Sequence, residues 1–138
     1  FCYYFKGTAD CKKENTFKFS VKDANWNNRV NFMLGVSDLD GFTTTGGDAK
    51  YDRIELEVFN KILKAHLVKN GSRTVLDDKI CDIDYDGVNT VSYKFEYAGE
   101  NTVVLLNVNG TDYKITAPKI IDGDKFGFYS KNNTVTIY

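Results

Sequence analysis

Two stretches of this chain have residue types and spacings that could do chemistry: Glu55-Leu-Glu57 and Asp82-Ile-Asp-Tyr-Asp-Gly-Val-Asn89. Paired carboxylates cleave glycosidic bonds when they stand ~5–5.5 Å apart with retention, or ~6.5–9.5 Å apart with inversion. Residues two apart on a strand lie roughly 6.5–7 Å apart at Cα, so Glu55 and Glu57 could span such a bond. The alternation of Arg53, Glu55 and Glu57 with Ile54, Leu56 and Val58 is also what a solvated strand face shows, and that reading is preferred here. No catalytic residue is assigned. His66 is the sole histidine, and one histidine assembles no convincing Ser-His-Asp or Cys-His arrangement. Between Ala65 and Leu67 it reads as a strand residue whose ring is satisfied.

The second stretch suits a hard cation. Asp82, Asp84, Asp86 and Asn89 present oxygen at closely spaced positions, and Gly87 permits a sharp turn. The bidentate glutamate of a helix–loop–helix calcium site is missing, because Tyr93 stands in its place, so only a looser Ca2+ site is expected. Calcium is the one cofactor the residues suggest. Asp38/Asp40 and Asp122/Asp124 form similar pairs, and ordinary turn chemistry accounts for all three equally well. Trp26, flanked by Asn25, Asn27 and Asn28, is the leading ligand-binding candidate. Aromatic rings take the C–H faces of sugars, while amides and guanidinium groups bond their hydroxyls. Trp26, Asn28, Arg29, Tyr51 and Arg53 are therefore the expected contact set, with edge packing of the indole as the competing reading.

These residues must be positioned by strands. Thr90–Tyr97 alternates polar and apolar residues, as do Phe17, Phe19 and Val21, then Val30, Phe32, Leu34 and Val36, and Ile54, Leu56 and Val58. Asn-Gly pairs at 70–71 and 109–110 mark hairpins. The expected strands are Phe1–Phe5, Thr16–Lys22, Arg29–Val36, Tyr51–Val58, Ile62–Val68, Arg73–Asp77, Val91–Tyr97, Val103–Val108, Tyr113–Thr116, Phe126–Tyr129 and Val135–Tyr138. Helical spacing competes only over Tyr51–Val68, where β-branched residues and the Asn70-Gly71 turn favour strands. The fold class is all-β, an antiparallel two-sheet sandwich spanning 1–138 as one domain. The segments Asp23–Asn28 and Asp38–Lys50 are loops, the second long enough to carry function.

Composition limits the partners. Eighteen basic residues stand against nineteen acidic ones, for a formal net charge of −1, which argues against nucleic acid as a partner. No apolar run approaches the ~20 residues of a membrane-spanning helix, so no membrane insertion is expected. No signal peptide is visible, and Phe1 is expected to mark a mature or excised boundary. Of Cys2, Cys11 and Cys81, an odd number, Cys2 and Cys11 flank a short turn and a bridge between them is plausible, while Cys81 could pair with either. Three sequons, at Asn70, Asn109 and Asn132, lean toward a secreted or cell-surface setting, although a chain rich in Asn and Thr makes them by chance.

Tyr51–Val58, Val91–Tyr97, Val103–Gly110 with Tyr113, and Gly123–Tyr129 before a last strand resemble the concanavalin A-like lectin/glucanase superfamily, which includes laminin-G-like domains and many carbohydrate-binding modules. The resemblance implies a jelly roll, and fold more than function. It departs from the superfamily where activity resides. The paired histidines and the Asn-Pro-Arg stretch of galectins are missing, as is the acidic trio of the retaining glucanases. The expectation is a non-catalytic, extracellular, lectin-like recognition module binding carbohydrate or glycoprotein. A protein–protein adhesion or structural domain, self-association included, is the alternative, and a small glycan-active hydrolase at Glu55/Glu57 the third reading.

Overall fold

The computed structural model describes residues 2–22, 29–37, 51–85, 87–131 and 134–138. Eleven strands run through them: β1 (Cys2–Thr8), β2 (Asn15–Lys22), β3 (Arg29–Val36), β4 (Arg53–Phe59), β5 (Ile62–Lys69), β6 (Ser72–Asp82), β7 (Asn89–Ala98), β8 (Asn101–Val108), β9 (Thr111–Ala117), β10 (Lys125–Lys131) and β11 (Thr134–Ile137). They form a six-stranded sheet, β1-β10-β3-β4-β5-β6, and a five-stranded sheet, β11-β2-β7-β8-β9. Every pairing is antiparallel. Each expected strand is found, and β4 and β5 form a hairpin where helical spacing competed. Asn70 and Asn109, each at φ 51°, open the tight turns after β5 and β8.

The core lies between the sheets. Phe17, Phe19 and Val21 from one layer meet Val30, Phe32 and Leu34 from the other, with Ile54, Leu56, Val58, Val91, Tyr93 and Phe95 completing the expected inward rows. Phe32 bridges the layers, its ring centroid 4.6 Å from that of Phe17 and 4.8 Å from that of Phe19. Such offset aromatic contacts are worth about 0.5–1.5 kcal/mol each beyond the area they bury.

Two expectations are corrected. Val36 does not continue the row of Phe32 and Leu34; it packs on the opposite face with Met33 and Tyr129. Gly35, at φ +66°, inserts an extra residue where β3 pairs with β10, and a one-residue slip moves every following side chain to the other face. Nor is Cys11 bridged to Cys2. It is a buried free thiol 3.6 Å from the Tyr97 hydroxyl, within the core, and Cys81 is free as well. Burial, first among several causes, raises the pKa of both thiols.

The bulge has a partner. The Gly123 amide donates to the Gly35 carbonyl at 3.0 Å, and a Cβ on Gly123 would land on the backbone of Val36. Because the obstruction is main chain, side-chain repacking cannot relieve it. Gly123→Ala is therefore expected to cost about 3 kcal/mol, which at roughly 4 °C per kcal/mol lowers the thermal midpoint by about 12 °C. A midpoint within about 3 °C of wild type in a calorimetric scan would show that the backbone yields instead.

Candidate functional site

On the face of the six-stranded sheet turned away from the core, alternation places charge rather than apolar surface. β4 contributes Arg53, Glu55, Glu57 and Phe59, the parity opposite to Ile54, Leu56 and Val58. The register sets Glu55 between Met33 and His66, and Glu57 between Asn31 and Lys64. Tyr129 stands opposite Asn31 on the far side of β3, and Arg73 opposite Val68 on β6.

This face is not solvated. Arg53 and Glu55 have side chains of 0% exposure, and Glu57 and His66 are buried with them. Glu55 is the hub. Its Oε1 accepts from Arg53 Nε at 2.7 Å, and its Oε2 accepts from Asn31 Nδ2 at 2.8 Å and from the Tyr129 hydroxyl at 3.5 Å. The same Oε2 lies 2.8 Å from Arg73 Nη2. Glu57 Oε2 accepts from Asn31 Nδ2 at 3.3 Å and from Arg73 Nη1 at 3.4 Å. Its Oε1 lies 3.8 Å from His66 Nε2, a Coulombic contact too long for a hydrogen bond. Both His66 ring nitrogens lack a hydrogen-bond partner, although the side chain is only 9% exposed.

The electrostatics follow from this packing. Burial by itself would raise the Glu57 carboxyl, but His66, Arg29 and Asn31 outweigh it and hold the group below its ordinary value. Burial works against the Arg73 cation, and the Glu55 carboxylate more than restores it. Burial and then the Glu55 charge push the Tyr129 phenol well up, so it remains a donor.

At one end of this face a cavity of 220 Å³ opens, lined by Arg29, Glu57, Phe59, Lys64, His66 and Arg73. The Arg29 guanidinium carbon and the Lys64 ammonium lie 5.3 and 5.1 Å from the centroid of the Phe59 ring. Arg53 and Glu55 sit behind this layer and anchor Arg73 within it.

The expected contact set is only partly assembled. Arg29 borders the cavity. Arg53 does not offer its guanidinium outward, as expected of a sugar donor; it is buried, with Nε on Glu55 and Nη1 donating to the Tyr51 carbonyl at 2.9 Å. Tyr51 packs against Met33, Val36 and Tyr129. It lies beyond Arg53, which is itself about 20 Å from Phe59 along β4 at ~3.4 Å per residue, at the end of the strand away from Arg29. Trp26, Asn28 and their neighbours Asn25 and Asn27 lie outside the described residues, as does the 38–50 loop. Two further readings are corrected: Glu55 and Glu57 are not a solvated face, and the His66 ring is not satisfied. The pair is also unsuited to hydrolysis. Glu55 is locked between two arginines, and a depressed Glu57 is the reverse of the raised carboxyl a general acid needs. Asn31, Phe59, Lys64, Arg73 and Tyr129 were missed. For Lys64 and Arg73 the signal was charge opposite to that of Glu55 and Glu57 at the non-core parity of neighbouring strands; Asn31, Phe59 and Tyr129 gave none.

The acidic loop is braced from within. Asn89 Oδ1 accepts from the Asp84 amide at 3.0 Å and from Asn109 Nδ2 at 2.9 Å, while its Nδ2 donates to the Asp84 carbonyl at 2.7 Å. Asn89 is thereby a structural clamp, its amide oxygen already taken. Asp82, 77% exposed, approaches Lys79 at 3.5 Å, and Asp86 lies outside the described residues. No group of three or more His, Cys, Asp or Glu side chains among the described residues is placed to hold a metal ion.

Several solved structures share this architecture. A carbohydrate-binding module, CBM66 from Bacillus subtilis, aligns with a TM-score of 0.61 at 16% identity over 99% of this chain and 78% of its own. CG-16, a homodimeric agglutinin from chicken liver, gives 0.52 at 10% identity over 99% and 98%. Basic winged bean lectin with Tn-antigen gives 0.50 at 14% identity, covering 91% of this chain and 66% of the lectin. No protein-family model matches the chain, and no curated protein matches it. The likeness is one of fold: an antiparallel jelly-roll β-sandwich of the concanavalin A-like type.

Removing the hub leaves two arginines without their shared carboxylate, so Glu55→Ala is expected to destabilise the protein by about 3–5 kcal/mol in urea unfolding at neutral pH. A loss below about 1 kcal/mol would mean that the network contributes little to the folded state. Glu57 behaves differently with pH. Its folded value lies below the ordinary 4.5, so its contribution is present above that pH and is lost as pH falls through the lower folded value. The stability gap between wild type and Glu57→Gln should therefore narrow as pH falls below about 4.5 and through the lower folded value; a gap of constant width across that acid range would contradict the assignment.

Proposed function

We propose that this chain is a non-catalytic carbohydrate-recognition module whose contact surface is the outer face of β3, β4, β5 and β6 around His66. The observation that carries the reading is the buried ring of His66, whose two nitrogens make no hydrogen bond, the nearest acceptor being Glu57 Oε1 at 3.8 Å. A buried polar group without a partner costs about 1–3 kcal/mol, and structures keep such groups where something else is meant to complete them. Here the ring borders a cavity with Arg73 as donor, Glu57 as acceptor and Phe59 as an apolar surface. Sugar hydroxyls both donate and accept, and sugar C–H faces seek aromatic surface, so this mixture matches their demands. The three neighbours reported above, by name a carbohydrate-binding module, a lectin and an agglutinin, lend the reading support.

Contact of this kind needs no cation, because the face already supplies donors and acceptors from rigid strands. A place outside the cell belongs to the reading, supported by the sequon Asn70-Gly-Ser72 in an exposed turn. The free thiols of Cys11 and Cys81 withdraw the disulfide argument for that location.

A glycan array followed by titration calorimetry tests the proposal. Binding is expected to weaken about 10- to 100-fold in Arg73→Ala, the range for losing a hydrogen bond to a charged group. An empty array, or equal affinity for wild type and both Arg73→Ala and His66→Ala, would overturn it.

A further inference from the structure

The charges around the cavity are arranged in two layers. In the inner layer Arg53 and Arg73 balance Glu55 and Glu57 through the contacts described above. The rim is not balanced. Arg29 is exposed at the start of β3 and, among the described residues, has no carboxylate within ion-pairing distance. Lys64 approaches Asp78 at 3.5 Å, but that carboxylate is 83% exposed, and such pairs are worth little in water. Both cations stand over the Phe59 ring, which holds them at the mouth; among the described residues Arg29 has no ion-pair partner and Lys64 has only the exposed Asp78. Arg73, one-third exposed, presents a third cationic edge. Among the described residues that line the cavity, Glu57 is the one acid, and it is more buried than Arg73.

From this geometry we propose that the site selects an acidic sugar, one carrying a carboxylate or a sulfate, and seats that anionic group between Arg29 and Lys64 with His66 as a further donor. The inference rests on the carbohydrate reading above and narrows it. An anionic group supplies hydrogen-bond acceptors to a cationic rim and to an imidazole whose nitrogens make no hydrogen bond, and a guanidinium matches carboxylate and sulfate oxygens in a fork. Size agrees. At 220 Å³ among the described residues the cavity has room for one sugar substituent such as a carboxylate or sulfate.

The experiment compares matched glycans on one array and in calorimetry: a neutral oligosaccharide, its uronate- or sialate-bearing counterpart, and its sulfated counterpart. Wild type, Arg29→Gln, Lys64→Ala and the double variant are measured at low and high NaCl. The expected result is at least tenfold tighter binding of one or both acidic forms, a preference that shrinks with salt and disappears in the double variant. The carboxylate and sulfate arms then tell which anion is the ligand. Equal binding of neutral and acidic forms by wild type overturns the inference and leaves the carbohydrate reading standing. A preference that survives in the double variant overturns the placement at Arg29 and Lys64. An array with no bound glycan removes both readings together. Arg29 and Lys64 lie outside the core, so the variants are expected to melt within about 2 °C of wild type; Lys64→Glu, which reverses the charge, gives a second reading with the same sign.

Discussion

A carboxylate buried without exposure, that of Glu55, constrains the outer face of the six-stranded sheet. An ion removed from water forfeits several kcal/mol of hydration, and only close partners with good geometry offset the loss. Glu55 has them in Arg53 on its own strand, Arg73 from β6 and the Asn31 amide from β3. Three strands are thus tied through one side chain. Arg73, long and otherwise free to sweep through solvent, is fixed in one pose.

The two faces of that sheet divide the labour. On the core side Phe32 interlocks the layers with Phe17 and Phe19, and stability accrues by apolar burial. On the other side the same strands hold charged groups in register, so the proposed recognition surface inherits the rigidity of the sandwich. A binding surface built this way loses little conformational entropy on meeting a ligand, unlike one carried on loops.

The sequence disclosed the strands more clearly than it disclosed the faces. Period-two alternation located β2, β3, β4 and β7 because each carries at least three consecutive apolar residues at one parity, and the Asn-Gly pairs set the hairpin ends. Alternation separates two faces but is silent on whether the polar one meets water. That is why Arg53, Glu55 and Glu57 read as a solvated row, and why Asn31, Arg73 and Tyr129, distant in sequence, were not gathered with them. Local exceptions escaped for the same reason. Gly35 shifts the parity of Val36 through a backbone conformation that composition does not announce. The hydrogen bonds that tie Asn89 to Asp84 and Asn109 come from tertiary approach and left no mark in the spacing of the acidic loop.

The position of β6 at the margin of its sheet carries a consequence for behaviour in concentrated solution. Its pairing with β5 is irregular near Ala65, and Asp77, Asp78, Lys79 and Asp82 stud its length. A straight apolar border invites strands from other molecules to dock onto it; a crooked border dense with charge turns them away. The border from which Arg73 reaches inward is accordingly a poor template for the strands of a second copy.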